Sequence, residues 1–248
     1  MRVKGLLPLL IIFLLAILLE LTMPLSFMFP RPSEIFSRLI DQRDVFLFHM
    51  FVTFKEMAIG TVVAFLMAFA LAWAMLMSQT IKIILEPIFI GIQCLPIFTI
   101  APLLILTFGW SQTAIIIPTA LMIFFPLTIN LYKGISSTPQ HLLDFFAINQ
   151  ASSWKLFFQL RLPWATPHIF SGMRIAAAIA GIGAVGGEWA GAQEGIGVLI
   201  QEYRRSIDFE GTYAALFCLL VVSLSFYSVV IAIEHLFFKK YSSTYRAM

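Results

Sequence analysis

Charge is scarce in this chain. Of its 248 residues 12% are Asp, Glu, Lys or Arg, against 60% hydrophobic, with a mean hydropathy of +0.93. A soluble domain carries about 25% charge. That deficit, with apolar runs of about 18 or more residues, places the chain in a lipid bilayer, with membrane lipid as its surroundings. The net charge of +3 comes without any Lys/Arg block, which leaves nothing to neutralise a run of phosphates and excludes a nucleic-acid partner. Cysteine is nearly missing: Cys94 and Cys218 each stand inside an apolar run. No CxxC or Cys/His cluster exists, so neither a disulfide framework nor a metal site is expected. His49, His141, His168 and His235 are scattered, with no HExxH spacing. No nucleophile–base constellation stands out, so an enzyme is not expected. There is no GxxxxGK[ST] either, so no nucleotide site and no cofactor is assigned to the chain.

What is present is long apolar spans. Six are drawn, near 5–23, 53–77, 83–108, 112–131, 165–190 and 212–238. The expected fold is all-α: a polytopic membrane bundle of about six transmembrane helices, one domain over 1–248 with its core at about 50–238. Arg2 and Lys4 precede the first span, and no small-x-small site follows it, so an uncleaved anchor is expected. Residues 24–52 are mixed, and Ile35, Phe36, Leu39 and Ile40 recur at helical spacing, which predicts an amphipathic helix on the membrane surface. Pro87, Pro96 and Pro102 interrupt the third span; a helix that loses backbone donors there is kinked or broken and needs protein neighbours. With the N-terminus inside, nine of the sixteen Lys and Arg residues fall inside, six outside and Arg174 within the fifth span. That bias favours cytoplasmic N- and C-termini.

The fifth span carries Gly183, Gly187, Gly191 and Gly195 four residues apart, with Ala176, Ala180 and Ala184 in a second row. Small residues on one stripe let another helix approach closely. The stripe serves either ordinary packing or the lining of a translocation path. Glu188 lies in the same span. A carboxylate at mid-bilayer costs about 2.5–3.5 kcal/mol on insertion scales, so it should face protein or water. It is either a polar group at the outer mouth of a path or a structural partner of Arg174 or an outer-loop Arg. Gln201–Asp208 is either a solvated loop or a surface for a soluble protein.

Between the fourth and fifth spans lies a partly polar amphipathic loop, 132–164. It reads Asp144-Phe145-Phe146-Ala147-Ile148-Asn149-Gln150-Ala151-Ser152-Ser153-Trp154-Lys155-Leu156-Phe157 and closes on Leu162-Pro163. This resembles the cytoplasmic signature of the inner-membrane permease subunits of binding-protein-dependent ABC importers: Glu-Ala-Ala, a Gly some residues on, then hydrophobic-x-Leu-Pro. Asp144 takes the Glu position, Phe145 and Phe146 the two Ala positions, and Gln150 the Gly position. Bulky phenylalanines and a residue without glycine's access to positive φ are departures from the pattern. Ser171-Gly172-Met173-Arg174 matches the re-entry into the membrane. Pro30-x-Pro32-Ser33-Glu34, His49-x-x-x-Thr53, Glu86-Pro87, Ala101-Pro102-Leu103, Phe125-Pro126 and Gly187-Glu188-Trp189 follow the subgroup importing sulfonates, taurine, nitrate and thiamine-precursor pyrimidines, the last motif standing nearest the pyrimidine branch.

The resemblance implies a homodimeric permease in the cell inner membrane, two cytoplasmic ATPase subunits carrying the ATP and Mg, and an extracytoplasmic substrate-binding protein. It implies a coupling helix of about Ala147–Phe158 in a groove of the ATPase, with Trp154, Leu156 and Phe157 burying apolar surface, Lys155 at the rim, and Asp144, Gln150, Ala151, Leu162 and Pro163 completing the contact. The alternative is an ion-coupled secondary transporter, which needs repeated halves and intramembrane acids; no internal repeat is visible.

Overall fold

The computed structural model describes residues 20, 28–93, 96–109 and 111–245. The expected first span lies outside these, apart from Glu20. Among the described residues the chain is all-helical, with no sheet. The helices are α1 (Pro32–Asp41), α2 (Arg43–Met77), α3 (Gln79–Gln93), α4 (Ile97–Phe108), α5 (Gln112–Ser136), α6 (Gln140–Ile148), α7 (Ser153–Leu156), α8 (Leu162–Gly191), α9 (Ile196–Arg205) and α10 (Phe209–Tyr245), with a single π-helical turn, Phe157–Arg161, joining α7 to α8. Among the described residues four stretches are long and apolar enough to cross a membrane: Arg43–Met77, Gln112–Ser136, Ser153–Gly191 and Phe209–Lys239.

Three boundaries differ from the sequence expectation. The second span begins at Arg43, ten residues before Thr53, so only α1 remains of the surface helix expected over 24–52. Its first turns stay helical because nothing between Arg43 and Thr53 breaks the run, and proline is missing there. The third span is two helices, α3 and α4, separated at Pro96. Pro87 and Pro102 remain inside their helices. The loop of 132–164 is largely helical, because α5 runs on to Ser136 and α8 starts at Leu162.

The core is the antiparallel pair α5 and α8, crossed by α2 and flanked by α10. The glycine stripe fixes its register. A Cβ on Gly183 would stand 2.7 Å from Thr119 Cα, and one on Gly187 would run into the Ile115 carbonyl. Only a residue without a Cβ lets these two backbones touch. Further along, Gly172 meets Leu127 and Asn130, and His168 meets Gly134. Ala176, Ala177, Ala180 and Ala184 are fully buried in the same seam, against a cluster of Ile123, Leu127 and Leu131. Small side chains thus bring the helices close enough for dispersion to replace a hydrophobic drive that lipid does not supply. Arg174, in the middle of α8, donates from Nη1 to both carboxylate oxygens of Glu234 on α10 at 2.7 and 2.8 Å. That settles its partner: Arg174 is paired with Glu234, not with Glu188.

Candidate functional site

Two regions, at opposite ends of the bundle, carry features that packing alone does not require. The first is the loop after α5. The segment Ala147–Phe158 is not one helix. α6 ends at Ile148, and Ala151 N–H donates to the Phe146 carbonyl (3.1 Å) while Gln150 N–H donates to that of Ala147 (2.9 Å). This is the paired bonding of a Schellman C-terminus, which needs a left-handed residue. Gln150 supplies it, with φ of 49°. The position where the signature has glycine therefore does demand glycine's conformation, and Gln150 bears the strain. Gln150→Gly is expected to raise stability by about 0.5–1 kcal/mol, read as a higher melting temperature in detergent, since a left-handed non-glycine costs roughly 1–2 kcal/mol and glycine returns part of that as chain entropy.

Ser152 then restarts the chain as an N-cap, its Oγ accepting from Lys155 N–H. Beyond it the side chains divide. Phe157, 2% exposed, faces inward with its ring 4.0 Å from that of Trp73 and 6.0 Å from that of Phe69. Its place is in this chain's own core, where no partner can reach it. Leu156, Leu162 and Pro163 are half-buried, whereas Asp144, Ala147, Gln150, Trp154 and Lys155 are exposed and Ala151 is half-buried. Trp154 is 68% exposed, yet it stacks flat on Phe158 at 5.4 Å and on Trp73 at 6.0 Å, so the indole is held rather than free. Asp144 accepts from Gln140 Nε2 within α6 (2.8 Å). Two residues that the sequence reading did not select join this surface: Phe145, 61% exposed, and Ile148, 81% exposed. The signal was available, because an apolar pair three residues apart on a short polar-flanked helix marks one face.

The second region lies at the other end, where α2, α5 and α8 meet the 192–195 connection and α9. Glu188 is 2% exposed. Its Oε1 accepts from the Thr53 hydroxyl (2.6 Å) and its Oε2 from the Gly197 N–H. Thr53 Oγ1 in turn accepts from Ile196 N–H (2.8 Å), and His49 Nδ1 accepts from Gly195 N–H (2.9 Å). Trp189 Nε1 donates to the Gly197 carbonyl (2.9 Å). Four side chains thus clamp the first turn of α9, whose N–H groups have no helical acceptor. The spacing His49-x-x-x-Thr53 puts both on one face of α2, toward that turn. Gly195 is needed for its φ of 118°, which side chains rarely adopt. Gly191 is the last residue of α8. It lines a cavity of about 250 Å3 with Val52, Glu56, Ser111, Gln112, Gln193 and Glu194.

Gln201–Asp208 is α9 and its end rather than an open loop. Asp208 pairs with Arg38 of α1, and the Tyr203 hydroxyl donates to Gln42 (2.6 Å). Burial lifts the Tyr203 phenol above its usual value, which keeps it a neutral donor.

Residues 60–242 match the family described as "Binding-protein-dependent transport system inner membrane component". The chain is 34% identical over 241 residues to a "Probable ABC transporter permease protein" of Haemophilus influenzae, covering 96% of this chain and 98% of that one. It is 29% identical over 211 residues to the "Formylaminopyrimidine transport permease protein ThiX" of Halalkalibacterium halodurans, covering 85% and 84%. Among solved structures, a chain of an amino acid ABC transporter with histidines superposes with a TM-score of 0.63 at 16% identity, over 86% of this chain and 99% of that chain, a likeness of fold.

Proposed function

The chain belongs to the family of binding-protein-dependent transport system inner membrane components, the ABC importer permeases, and from that premise we propose that it forms the solute path of an importer driven by a separate ATPase. In this reading the 137–161 end faces the cytoplasm and the α1, 109–111 and 192–208 end faces outward. The N- and C-termini lie inside, and the membrane is the inner membrane. Two copies pair around the path. ATP and Mg bind the two partner ATPases and not this chain.

The observation that carries the coupling reading is the exposed apolar cluster Phe145, Ile148 and Trp154, flanked by Lys155, on a loop between two spans. The cluster is fixed to the bundle through Trp154 on Trp73 and Phe157 beneath it. A groove that closes on this cluster moves the α2 and α8 ends with it. The binding protein docks at the opposite end, on α9 and α1, where the Arg38–Asp208 pair ties α1 to the turn that follows α9.

The substrate is a thiamine-precursor pyrimidine, supported by the relative named for formylaminopyrimidine, which aligns over 85% of this chain. A sulfonate, taurine or nitrate is the alternative within the same class. Co-purification and energy dependence test the whole. The permease is expected to bring down an ATPase, and uptake into vesicles is expected to stop on ATP depletion while an imposed ion gradient persists. Uptake that follows the ion gradient without nucleotide makes the chain a secondary transporter instead.

A further inference from the structure

Among the described residues Glu56 is the one buried acid whose environment packing does not explain. It sits on α2 one turn after Thr53 and is 8% exposed. Its carboxyl contacts that of Glu188, which is already engaged with Thr53 and Gly197. Its Oε2 is buried and has no hydrogen-bond partner. A buried carboxyl oxygen left without a donor is costly, and such groups in membrane spans mark solute paths.

The same side chain lines the cavity of about 250 Å3 at the outer end, and an adjoining one of about 210 Å3 formed with Phe48, Phe51, Lys55 and Ile116. Gln112 and Glu194 line both. A cavity of about 150 Å3 admits benzene, so this space admits one substituted six-membered ring. In the first cavity the ionisable groups are Glu56 and Glu194, both acids, beside the amides of Gln112 and Gln193 and the hydroxyl of Ser111. An anion placed there meets two acids, with Glu188 behind them. A ring bearing N–H groups meets acceptors at hydrogen-bonding positions.

We propose that Glu56 is a solute-binding residue, whose buried Oε2 accepts from the amino group of a nitrogen heterocycle held between α2, Gln112 and Glu194. This rests on the importer reading and narrows it to the aminopyrimidine class, against the anionic alternatives. Glu188 stays outside the contact, as the clamp that keeps the cavity wall in shape.

The test uses vesicles carrying the permease with its ATPase, ATP inside, and the cognate binding protein outside. Uptake of a tritiated formylaminopyrimidine is compared with that of taurine. The wild type is expected to take up the aminopyrimidine, and Glu56→Leu to lower that uptake about tenfold, since a side chain of similar size without an acceptor leaves the buried donor unpaired. Melting temperature and ATPase co-purification serve as checks of assembly. Equal uptake by the wild type and Glu56→Leu overturns the assignment. So does a wild type that takes up taurine, or neither probe, while its uptake machinery still depends on ATP. ATP-independent uptake of either probe sinks the importer reading itself, and the assignment falls with it. Should Glu56→Leu fail to assemble, Gln112→Ala, at an exposed position of the same cavity, is read instead: a severalfold loss of aminopyrimidine uptake supports the site and unchanged uptake removes it.

Discussion

Truncating Glu188 to alanine is expected to lower the melting temperature of the detergent-solubilised protein by roughly 6–12 °C, corresponding to about 3 kcal/mol in a chain of this size. The change removes the acceptor for the Gly197 N–H and for the Thr53 hydroxyl at once. Both donors stay buried, because Thr53 is fully buried and Gly197 is packed under Glu188 and Trp189. An unsatisfied buried donor costs more than the bond it had was worth, since no water reaches it. Glu188→Gln is expected to cost about 1 kcal/mol, because an amide oxygen still serves one donor. Hydrogen exchange should separate the local effect from the global one: the Ile196 and Gly197 amides become exchangeable in Glu188→Ala before those of α5 do. If the melting temperature of Glu188→Ala stays within about 1 °C of the wild type, the clamp has no energetic weight and the residue must be sought in the path.

The second large effect is expected at the other end. Ile148→Asp should weaken retention of the partner ATPase by at least about 30-fold while leaving the melting temperature of the permease unchanged. Ile148 is 81% exposed and belongs to no buried cluster, so a polar replacement takes nothing from the bundle. At the centre of a docking surface, an apolar anchor replaced by a charge loses about 2 kcal/mol or more. The contrast is Phe157→Ala, which removes a buried ring from against Trp73 and Phe69 and should lower stability by about 3–5 kcal/mol. An unchanged ATPase affinity in Ile148→Asp would move the docking surface elsewhere on the loop.

The two expectations separate what the linear pattern carries from what it does not. The membrane class, the helical fold and the break near Pro96 were legible, because they rest on composition and on local backbone chemistry: apolar length sets a span, and a missing N–H with a fixed φ interrupts one. The loop signature was legible too, but Gln150 read as a departure from the glycine of the pattern, and only the structure gives it the left-handed φ that glycine would take. The glycine stripe announced a close helix contact, and Gly183 and Gly187 make it.

The sequence alone determined that this chain is a helical bundle in a membrane with a partly polar, amphipathic loop between two of its spans. Only the tertiary structure decided which side chains do which work. Phe157 and Trp154 are three residues apart, yet one is core and the other surface, because the π-helical turn at Phe157–Arg161 and the packing of Trp73 set which face of the short helix points inward. Glu188 and Glu56 are 132 residues apart in a chain that gives no hint of their meeting. They come together because glycines in α8 let it lie against α5 while α2 crosses both, and that closeness is a property of three helices at once. Periodicity reports the face a residue occupies on its own helix, but not the partner that face meets. The acid that anchors a turn and the acid left with an open oxygen were therefore indistinguishable until the helices were assembled.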